Sequence, residues 1–218
     1  MLSVILPTLN SSGTLAACLG ALWEADEIVV VDGGSSDATA AIAERSGATV
    51  VRTARGRGAQ LRSGELAAQG DWLLFLHSDT ILERGWREAT DGHIAAGAGR
   101  AAFFRFRLGA DDWQARLVEA GAALRVGLLK LPYGDQGLLV SRALYEEVGG
   151  YRSFPLLEDV DLVRRIGRAR LRALPVDAVT SAERWQRDGW LRRSARNLLY
   201  LALYRLGVAP ARIAELYD

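Results

Sequence analysis

Two aspartates stand just beyond short, fully apolar segments of the chain. Residues 28–31 lead directly into Asp32, and residues 72–76 end three positions before Asp79. Apolar runs of this length are typical of buried strands in a parallel sheet, and ligands bind beyond the carboxyl ends of such strands. Two carboxylates at that edge indicate a nucleotide held partly through a divalent metal ion. The alternative for either acid alone is a helix N-cap, where aspartate is common.

A glycine-rich basic turn precedes the third predicted helix. It carries Arg57, Gly58 and Arg62. Glycine lets a backbone approach phosphate oxygens, and a helix N-terminus attracts them. The turn is therefore a candidate phosphate contact, with an exposed basic loop as the alternative.

Alternating strands and helices must position these residues. Strands are expected at residues 3–6, 28–31, 49–52 and 72–76, with a helix after each of the first three. This order predicts a parallel sheet with helices on both faces.

The second half of the chain has a different pattern. Residues 104–108 alternate strictly between apolar and charged, which is typical of a half-solvated strand. Further strands are expected at residues 138–141 and 171–176, and helices at residues 112–126, 159–166 and from Gly189 to Tyr217, with a break near Gly207.

The composition limits the expected binding partners and the expected cellular compartment. The 27 basic and 26 acidic residues give a net charge of +1, which indicates no general attraction to nucleic acid. Cys18 is the only cysteine, so an intrachain disulfide is excluded and a reducing compartment such as the cytoplasm is expected. The N-terminus lacks a basic region before a long apolar segment, so we interpret it as a first strand and not a signal peptide.

Five segments, taken in order, resemble the motifs of family 2 glycosyltransferases with the GT-A fold. They lie at residues 4–10, 30–39, 75–80, 149–151 and 157–162. Together with residues 56–60 and 134–137 and a helical tail, they resemble a short, soluble bacterial subgroup of that family. The resemblance implies an α/β fold with a mostly parallel central sheet, helices on both faces and a C-terminal helical extension.

The resemblance also implies an activity. The expected enzyme is an inverting transferase that moves a sugar from a nucleoside diphosphate sugar to a hydroxyl acceptor, with Mn²⁺ or Mg²⁺. Uridine diphosphate donors are commonest in the family, whereas the subgroup's acceptors are mostly undefined. We expect one domain over residues 1–218, with a nucleotide-sugar half (1–100), an acceptor and catalytic half (101–185) and a helical tail (186–218).

Specific residues match the family's nucleotide and metal sites. Asp79 matches the last acid of the metal-binding Asp-x-Asp motif, while His77 replaces the first acid and would suit Mn²⁺ better than Mg²⁺. The alternative for His77 is a partly buried polar residue that ends a strand. The residues expected to contact the nucleotide are Pro7, Thr8, Leu9, Asn10, Asp32, Gly33, Arg57, Gly58, Arg62 and Ser78.

Other residues match the catalytic and acceptor side. Glu158 and Asp159 match the acidic pair that carries the base in inverting members, and Asp159 would take the proton from the acceptor hydroxyl. The alternative for this pair is a helix N-terminus that uses acids to complement its dipole. Asp161 is expected to be a helix-face or structural acid. Contacts to the donor sugar or the acceptor are expected from Asp135, Gln136, Arg184 and Trp185, although Ser181 replaces the Gln of the family's Gln-x-x-Arg-Trp motif.

The apolar and arginine-rich tail leaves two interpretations open. It could be an interfacial helix that reaches a lipid-linked acceptor at the inner membrane face, or a helix packed on the domain or on a homodimer partner. A nucleotidyltransferase is a rival enzyme, but its glycine-rich, lysine-containing signature is absent, because Lys130 is the first lysine. Two further alternatives are a nucleotide-sugar-binding protein with weakened catalysis and a subunit of a membrane-associated complex.

Overall fold

The computed structural model describes residues 1–216, and an eight-stranded sheet forms its centre. The order across the sheet is β3-β2-β1-β4-β7-β6-β8-β5. One sheet thus takes strands from both predicted halves of the chain. In chain order the strands are β1 (Leu2–Thr8), β2 (Glu27–Asp32), β3 (Thr49–Arg52), β4 (Trp72–Phe75), β5 (Thr80–Leu82), β6 (Ala101–Leu108), β7 (Leu138–Ser141) and β8 (Leu171–Thr180).

Helices connect and cover the strands. The predicted tail is two helices separated at Gly207, whose φ of +88° suits glycine, and Tyr217 lies outside the described residues. No helix within residues 1–216 has the length and apolar character needed to cross a bilayer. The helices are α1 (Leu15–Ala21), α2 (Thr39–Arg45), α3 (Arg57–Ala67), α4 (Trp86–Ala95), α5 (Trp113–Leu129), α6 (Arg142–Glu147), α7 (Glu158–Ile166), α8 (Glu183–Asp188), α9 (Trp190–Arg205) and α10 (Pro210–Glu215).

Parallel pairing brings the carboxyl ends of β1, β2 and β4 to one edge. The register places Thr8 of β1 beside Asp32 of β2. Within the described chain, four of the seven strand pairings (β1–β2, β1–β4, β2–β3 and β6–β8) are parallel, while β7 runs antiparallel to both neighbours. The predicted α/β class with a mostly parallel sheet is confirmed.

Apolar side chains are buried on both faces of the sheet. In β1, Ile5 joins the core beneath α3, α6 and α7, whereas Val4 and Leu6 join the core beneath α1, α2 and α4. Both faces of the strand need apolar residues, which explains why its sequence does not alternate. Cys18 is fully buried in the core beneath α1, α2 and α4.

In the second half of the chain, β6 and β8 are longer than predicted. β6 begins at Ala101 because residues 101–104 are buried on both faces and so lack the alternation of residues 104–108. β8 continues to Thr180 through Pro175. The register shifts between Ala173 and Asp177, and this irregularity accommodates a proline that cannot donate to the ladder.

Gly64 allows α3 to pack closely on β1 and β2. A Cβ here would lie 2.8 Å from Val31 Cγ2 and closer still to Ile5 Cγ2. We expect Gly64→Ala to lower the free energy of unfolding by about 1–3 kcal/mol, because the added methyl overfills a packed core. The control is Gly92→Ala in α4, where a Cβ would meet nothing within 4 Å and stability should rise by up to ~1 kcal/mol. Urea denaturation measures both, and equal midpoints would contradict the packing argument.

Candidate active site

A cavity of about 840 Å³ opens at the carboxyl edge of β1 and β4. Its walls are the ends of these strands, the start of α3, the loop before β7, the start of α7, and α8 to α10. A ligand bound there would therefore contact both halves of the chain. The predicted site residues that line the cavity are Pro7, Thr8, Leu9, Arg57, Ser78, Asp79, Asp135, Asp159, Arg184 and Trp185.

Other predicted site residues lie outside the cavity lining. Arg62 is exposed on α3, whereas Gln136 is buried and donates from Nε2 to Phe104 O at 3.0 Å. Their assignment to the nucleotide and to the sugar or acceptor stays a prediction. The full set outside the lining is Asn10, Asp32, Gly33, Gly58, Arg62, Gln136 and Glu158.

Asn10 and Asp32 both bind the turn that follows β2. Ser35 N donates to both carboxylate oxygens of Asp32 at 3.2 Å, and Ser35 Oγ donates to Asp32 Oδ1. Ser36 N donates to Asn10 Oδ1 at 2.9 Å. Both side chains are thus engaged in holding the loops after β1 and β2 together. A direct contact of either residue with a nucleotide stays a prediction.

Gly58 lies against protein backbone. Its N–H donates to Phe154 O at 3.3 Å, and a Cβ would come within 2.8 Å of Phe154 N and closer still to Arg152 O. The glycine therefore lets α3 meet the loop that precedes α7. Arg57, one residue earlier, lines the cavity and places Nε 3.6 Å from Glu158 Oε1.

Gln60 is a site residue that sequence reasoning missed. Its side chain is buried, and Nε2 donates to Thr8 O and to Val31 O, both at 2.9 Å. The amide therefore joins the carboxyl ends of β1 and β2 beside the cavity. A polar residue in a helix gives no sequence signal for this role, because its partners lie on distant strands.

Asp159 and His77 meet at Gly134. Gly134 N donates to Asp159 Oδ2 at 2.6 Å. A Cβ on Gly134 would lie 2.7 Å from His77 Nε2 and 3.2 Å from Asp159 Oδ2. Burial and the nearby Arg57 lower the pKa of His77 to about 4, so the imidazole is neutral near pH 7. The positions of His77 and Asp159 beside Gly134 thus place the end of β4 next to the start of α7.

Three carboxyl groups around the cavity contain an oxygen that nothing in residues 1–216 hydrogen-bonds. These are Asp79 Oδ1, Asp135 Oδ1 and Glu158 Oε2. Burial raises the pKa of Asp135 to about 6 and that of Glu158 to about 7, although Arg125 and Arg57 respectively oppose the shifts. Ionised carboxylates are costly in such positions, so the two that line the cavity, Asp79 and Asp135, indicate a site for a charged ligand.

The donor set accommodates a divalent cation in part. Asp79 and Asp135 both line the cavity and both offer an oxygen without a hydrogen-bond partner in the described chain. Residues 1–216 contain no group of three or more His, Cys, Asp or Glu side chains arranged to hold a metal ion. A cation here would therefore need oxygens from a bound phosphate or from water to complete its coordination.

The start of α7 is held in a strained conformation. Leu157 precedes Glu158 with a φ of +64°, which is rare for a residue with a branched side chain. Arg165 donates to the carbonyl oxygens of Val148 and Gly150 and thereby fixes the turn before α7. Asp161 accepts from Arg165 at 2.7 Å, which supports its interpretation as a structural acid.

The helical tail closes the far side of the cavity. Trp185 of α8 stacks on Trp190 of α9, with ring centroids 6.0 Å apart and the Arg193 guanidinium 5.4 Å from the Trp185 ring. Asp188 accepts from Arg193 at 2.7 Å and thus ties α8 to α9. The tail is therefore packed on the domain and contributes a wall of the site.

Glu158 generates a testable pH dependence. Burial raises its pKa from 4.5 to about 7, so the folded state binds this proton more tightly than the unfolded state. The group's contribution to stability is complete below pH 4.5 and falls as the pH rises through 7. Glu158→Gln should remove this fall. The free energy of unfolding of the variant, measured relative to that of the wild type, should therefore increase by on the order of 2–3 kcal/mol between pH 4.5 and pH 8.

Urea denaturation across that pH range is the measurement, with Glu88→Gln, an exposed acid of α4, as the control. Parallel pH curves for Glu158→Gln and the wild type would show that Glu158 does not carry the raised pKa.

Solved structures share this architecture. A mannosyltransferase from Pyrobaculum calidifontis, solved with GDP-Man and Mn²⁺, matches with a TM-score of 0.71 and 21% identity over 94% of this chain and 64% of that one. Glucosyl-3-phosphoglycerate synthase from Mycobacterium tuberculosis, solved with Mn²⁺, UDP and glucosyl-3-phosphoglycerate, matches with a TM-score of 0.59 and 24% identity over 83% and 70%. These likenesses confirm the predicted GT-A fold.

Curated relatives match over shorter segments. An uncharacterised glycosyltransferase of Mycobacterium tuberculosis is 37% identical over 84 residues, which are 38% of this chain and 38% of the relative. A PGL/p-HBAD biosynthesis glycosyltransferase of the same species is 38% identical over 93 residues, or 38% of this chain and 36% of the relative. The matched region thus spans little more than a third of either relative.

The sequence model of glycosyl transferase family 2 matches residues 3–138, which is more than half of the chain. The matched region contains Asp79 and Asp135 of the cavity and stops before Asp159. This match assigns the family: the chain belongs to glycosyl transferase family 2.

Proposed function

We propose that this chain is an inverting glycosyltransferase that moves a sugar from a nucleoside diphosphate sugar, with UDP as the expected nucleotide, to a hydroxyl acceptor. The observation that carries the proposal is the meeting of Asp79 and Asp159 in one cavity, although they come from opposite halves of the chain. In the proposed reaction Asp79 acts on the side of the leaving diphosphate and Asp159 on the side of the acceptor.

Asp159 is the proposed general base. The acceptor hydroxyl gives its proton to the Asp159 carboxylate while the acceptor oxygen bonds to the anomeric carbon. The bond from that carbon to the diphosphate oxygen breaks, and the nucleoside diphosphate leaves from the opposite side, so the configuration inverts. The hydrogen bond from Gly134 N to Asp159 Oδ2 at 2.6 Å orients the carboxylate.

Glu158 and Arg57 have supporting roles in this proposal. Glu158 is buried and absent from the cavity lining, so it would position Arg57 and not contact substrate. Arg57 and Arg184 line the cavity and would attract the diphosphate. A bound divalent ion would further neutralise the departing diphosphate, with Asp79, and then Asp135, as its protein ligands.

Residues of α9 form the proposed acceptor side of the cavity. Arg193, Asn197 and Tyr200 of α9 line the cavity and can hydrogen-bond a hydroxylated molecule. The Mycobacterium tuberculosis synthase structure contains glucosyl-3-phosphoglycerate. For this chain we propose a lipid-linked acceptor, because the tail that lines the cavity also has an exposed apolar face. A cytoplasmic location likewise stays a prediction.

Binding of nucleoside diphosphates tests the donor site. Calorimetric titration with UDP, GDP, ADP, CDP and dTDP, each with and without Mn²⁺, should show one ligand that binds more tightly with the metal. Asp79→Ala should weaken that metal-dependent binding by about tenfold or more, because few protein ligands hold the cation. The control is Asp71→Ala, an exposed acid outside the cavity. Unchanged metal dependence in Asp79→Ala would remove this residue from the metal site.

Asp159→Asn tests the base. We expect transfer to fall by about a hundredfold or more, while affinity for the nucleoside diphosphate stays within a few fold, since the carboxylate acts on the acceptor. Release of the diphosphate with water as acceptor provides the assay. Near-normal release by Asp159→Asn would refute the base assignment. Diphosphate binding by the wild type without turnover on any acceptor would instead favour the nucleotide-sugar-binding alternative.

A further inference from the structure

The outer faces of α5 and α9 form an extensive apolar surface. The two helices pack against each other, and α5 contributes four exposed large apolar side chains, as does α9 with its C-cap. A concentration of exposed apolar side chains of this kind marks an interaction surface. The outer apolar surface is defined by Trp113, Leu117, Leu124, Leu128, Leu191, Leu198, Leu199 and Leu206, which are eight of the thirteen large apolar side chains exposed within residues 1–216.

The charged side chains of α5 point toward the protein. Arg116 donates to Glu119 at 2.7 Å, and Glu119 accepts from Leu108 N at 2.9 Å in the interior. Arg125 donates to Leu131 O and lies over the Tyr133 ring at 3.4 Å. The exposed positions of this helix are all Trp, Leu, Ala or Gly. This is the reverse of an ordinary surface helix, which exposes its polar face to water.

The exposed charges on α9 and at the end of α5 are positive. Arg192 and Arg205 are exposed on α9, which contains no acidic residue, and Lys130 follows α5. The opposite end of α5 carries two exposed acids: Asp111 lies 3.7 Å from Arg116, and Asp112 accepts from Gln186 Nε2 at 3.3 Å.

We propose that the outer apolar surface docks this protein in the interfacial layer of a lipid bilayer that contains anionic head groups. Leucine and tryptophan side chains would enter the acyl boundary while arginine and lysine contact lipid phosphates, which is the pattern of interfacial helices. A second copy is a poorer occupant of the α9 part of the surface, because Arg192 and Arg205 lie on a helix without acidic residues and would meet the same basic helix across a two-fold contact. An anionic lipid complements both the apolar side chains and the exposed basic residues Lys130, Arg192 and Arg205.

Docking through this surface would also place the cavity near the lipid. The inner face of α9 lines the cavity through Arg193, Asn197 and Tyr200, whereas its outer face carries Leu191 and Leu198. Only one helix diameter, about 10 Å, therefore separates the cavity from the proposed bilayer. A lipid-linked acceptor could present its hydroxyl to Asp159 from there. This consequence rests on the proposed transferase function, whereas the docking itself does not.

Vesicle co-sedimentation tests the docking. The full chain should bind vesicles of phosphatidylcholine with phosphatidylglycerol, and bind vesicles of phosphatidylcholine alone more weakly. Leu124→Glu/Leu128→Glu, which changes two exposed positions, should lower the vesicle-bound fraction by about tenfold or more, because it places two charges in the apolar surface. The matched control is Leu66→Glu on α3, where the leucine is 74% exposed. It should bind vesicles as the wild type does.

Several outcomes would overturn the proposal. These are absence of wild-type binding to the anionic vesicles, or an equal loss of binding in Leu66→Glu. A wild-type dimer that Leu124→Glu/Leu128→Glu converts to a monomer, without vesicle binding by either form, would identify a second copy as the occupant. Sedimentation velocity supplies that measurement. Diphosphate binding, measured on the same preparations, tests the transferase function separately from the docking. Absence of diphosphate binding would count against the transferase function and would not change the vesicle result.

Discussion

A buried carboxylate, Asp161, joins the parts of the chain that surround the cavity. It accepts from Arg165 at 2.7 Å, from Arg152 at 3.3 Å and from the Tyr204 hydroxyl at 3.1 Å. These bonds connect α7, the turn after α6 and α9. Removing one partner from a buried ion pair leaves an uncompensated charge, which typically costs about 3–5 kcal/mol. The position of Asp159, two residues earlier, therefore depends on the same network.

The carboxylates of the cavity have fewer hydrogen-bond partners than Asp161 has. Asp79 and Asp135 each hold a buried oxygen that nothing in the described chain hydrogen-bonds, and Leu157 adopts a left-handed conformation. Such costs persist where surrounding structure over-determines the geometry, and they concentrate at functional sites. Here two apolar cores on opposite faces of the sheet supply the rigidity. A charged ligand would satisfy groups that the fold by itself leaves uncompensated.

The helix α9 of the tail contributes to both the cavity wall and the outer apolar surface. Tyr200 and Leu201 are buried, and the inner face of α9 completes the cavity wall. Its outer face joins that of α5 in the outer apolar surface. The interleaved leucines and arginines of this segment favour an amphipathic helix but leave its partner open, because the same pattern suits a protein interior or a lipid surface. Only packing on the domain distinguishes the two faces.

The sequence by itself determined the strands at the centre of the sheet, because continuous apolar runs such as residues 28–31 are suited to burial on both faces. It also determined which edge of the sheet holds the site, because these runs end at polar turns. It also predicted the acids of the cavity, Asp79 and Asp159. Only tertiary structure decided that Gly58 meets the loop at Phe154 and that Gln60 joins two strand ends. The physical reason is range: side-chain periodicity records the local environment of a segment, whereas these contacts join residues far apart in the chain and exist only once the elements pack.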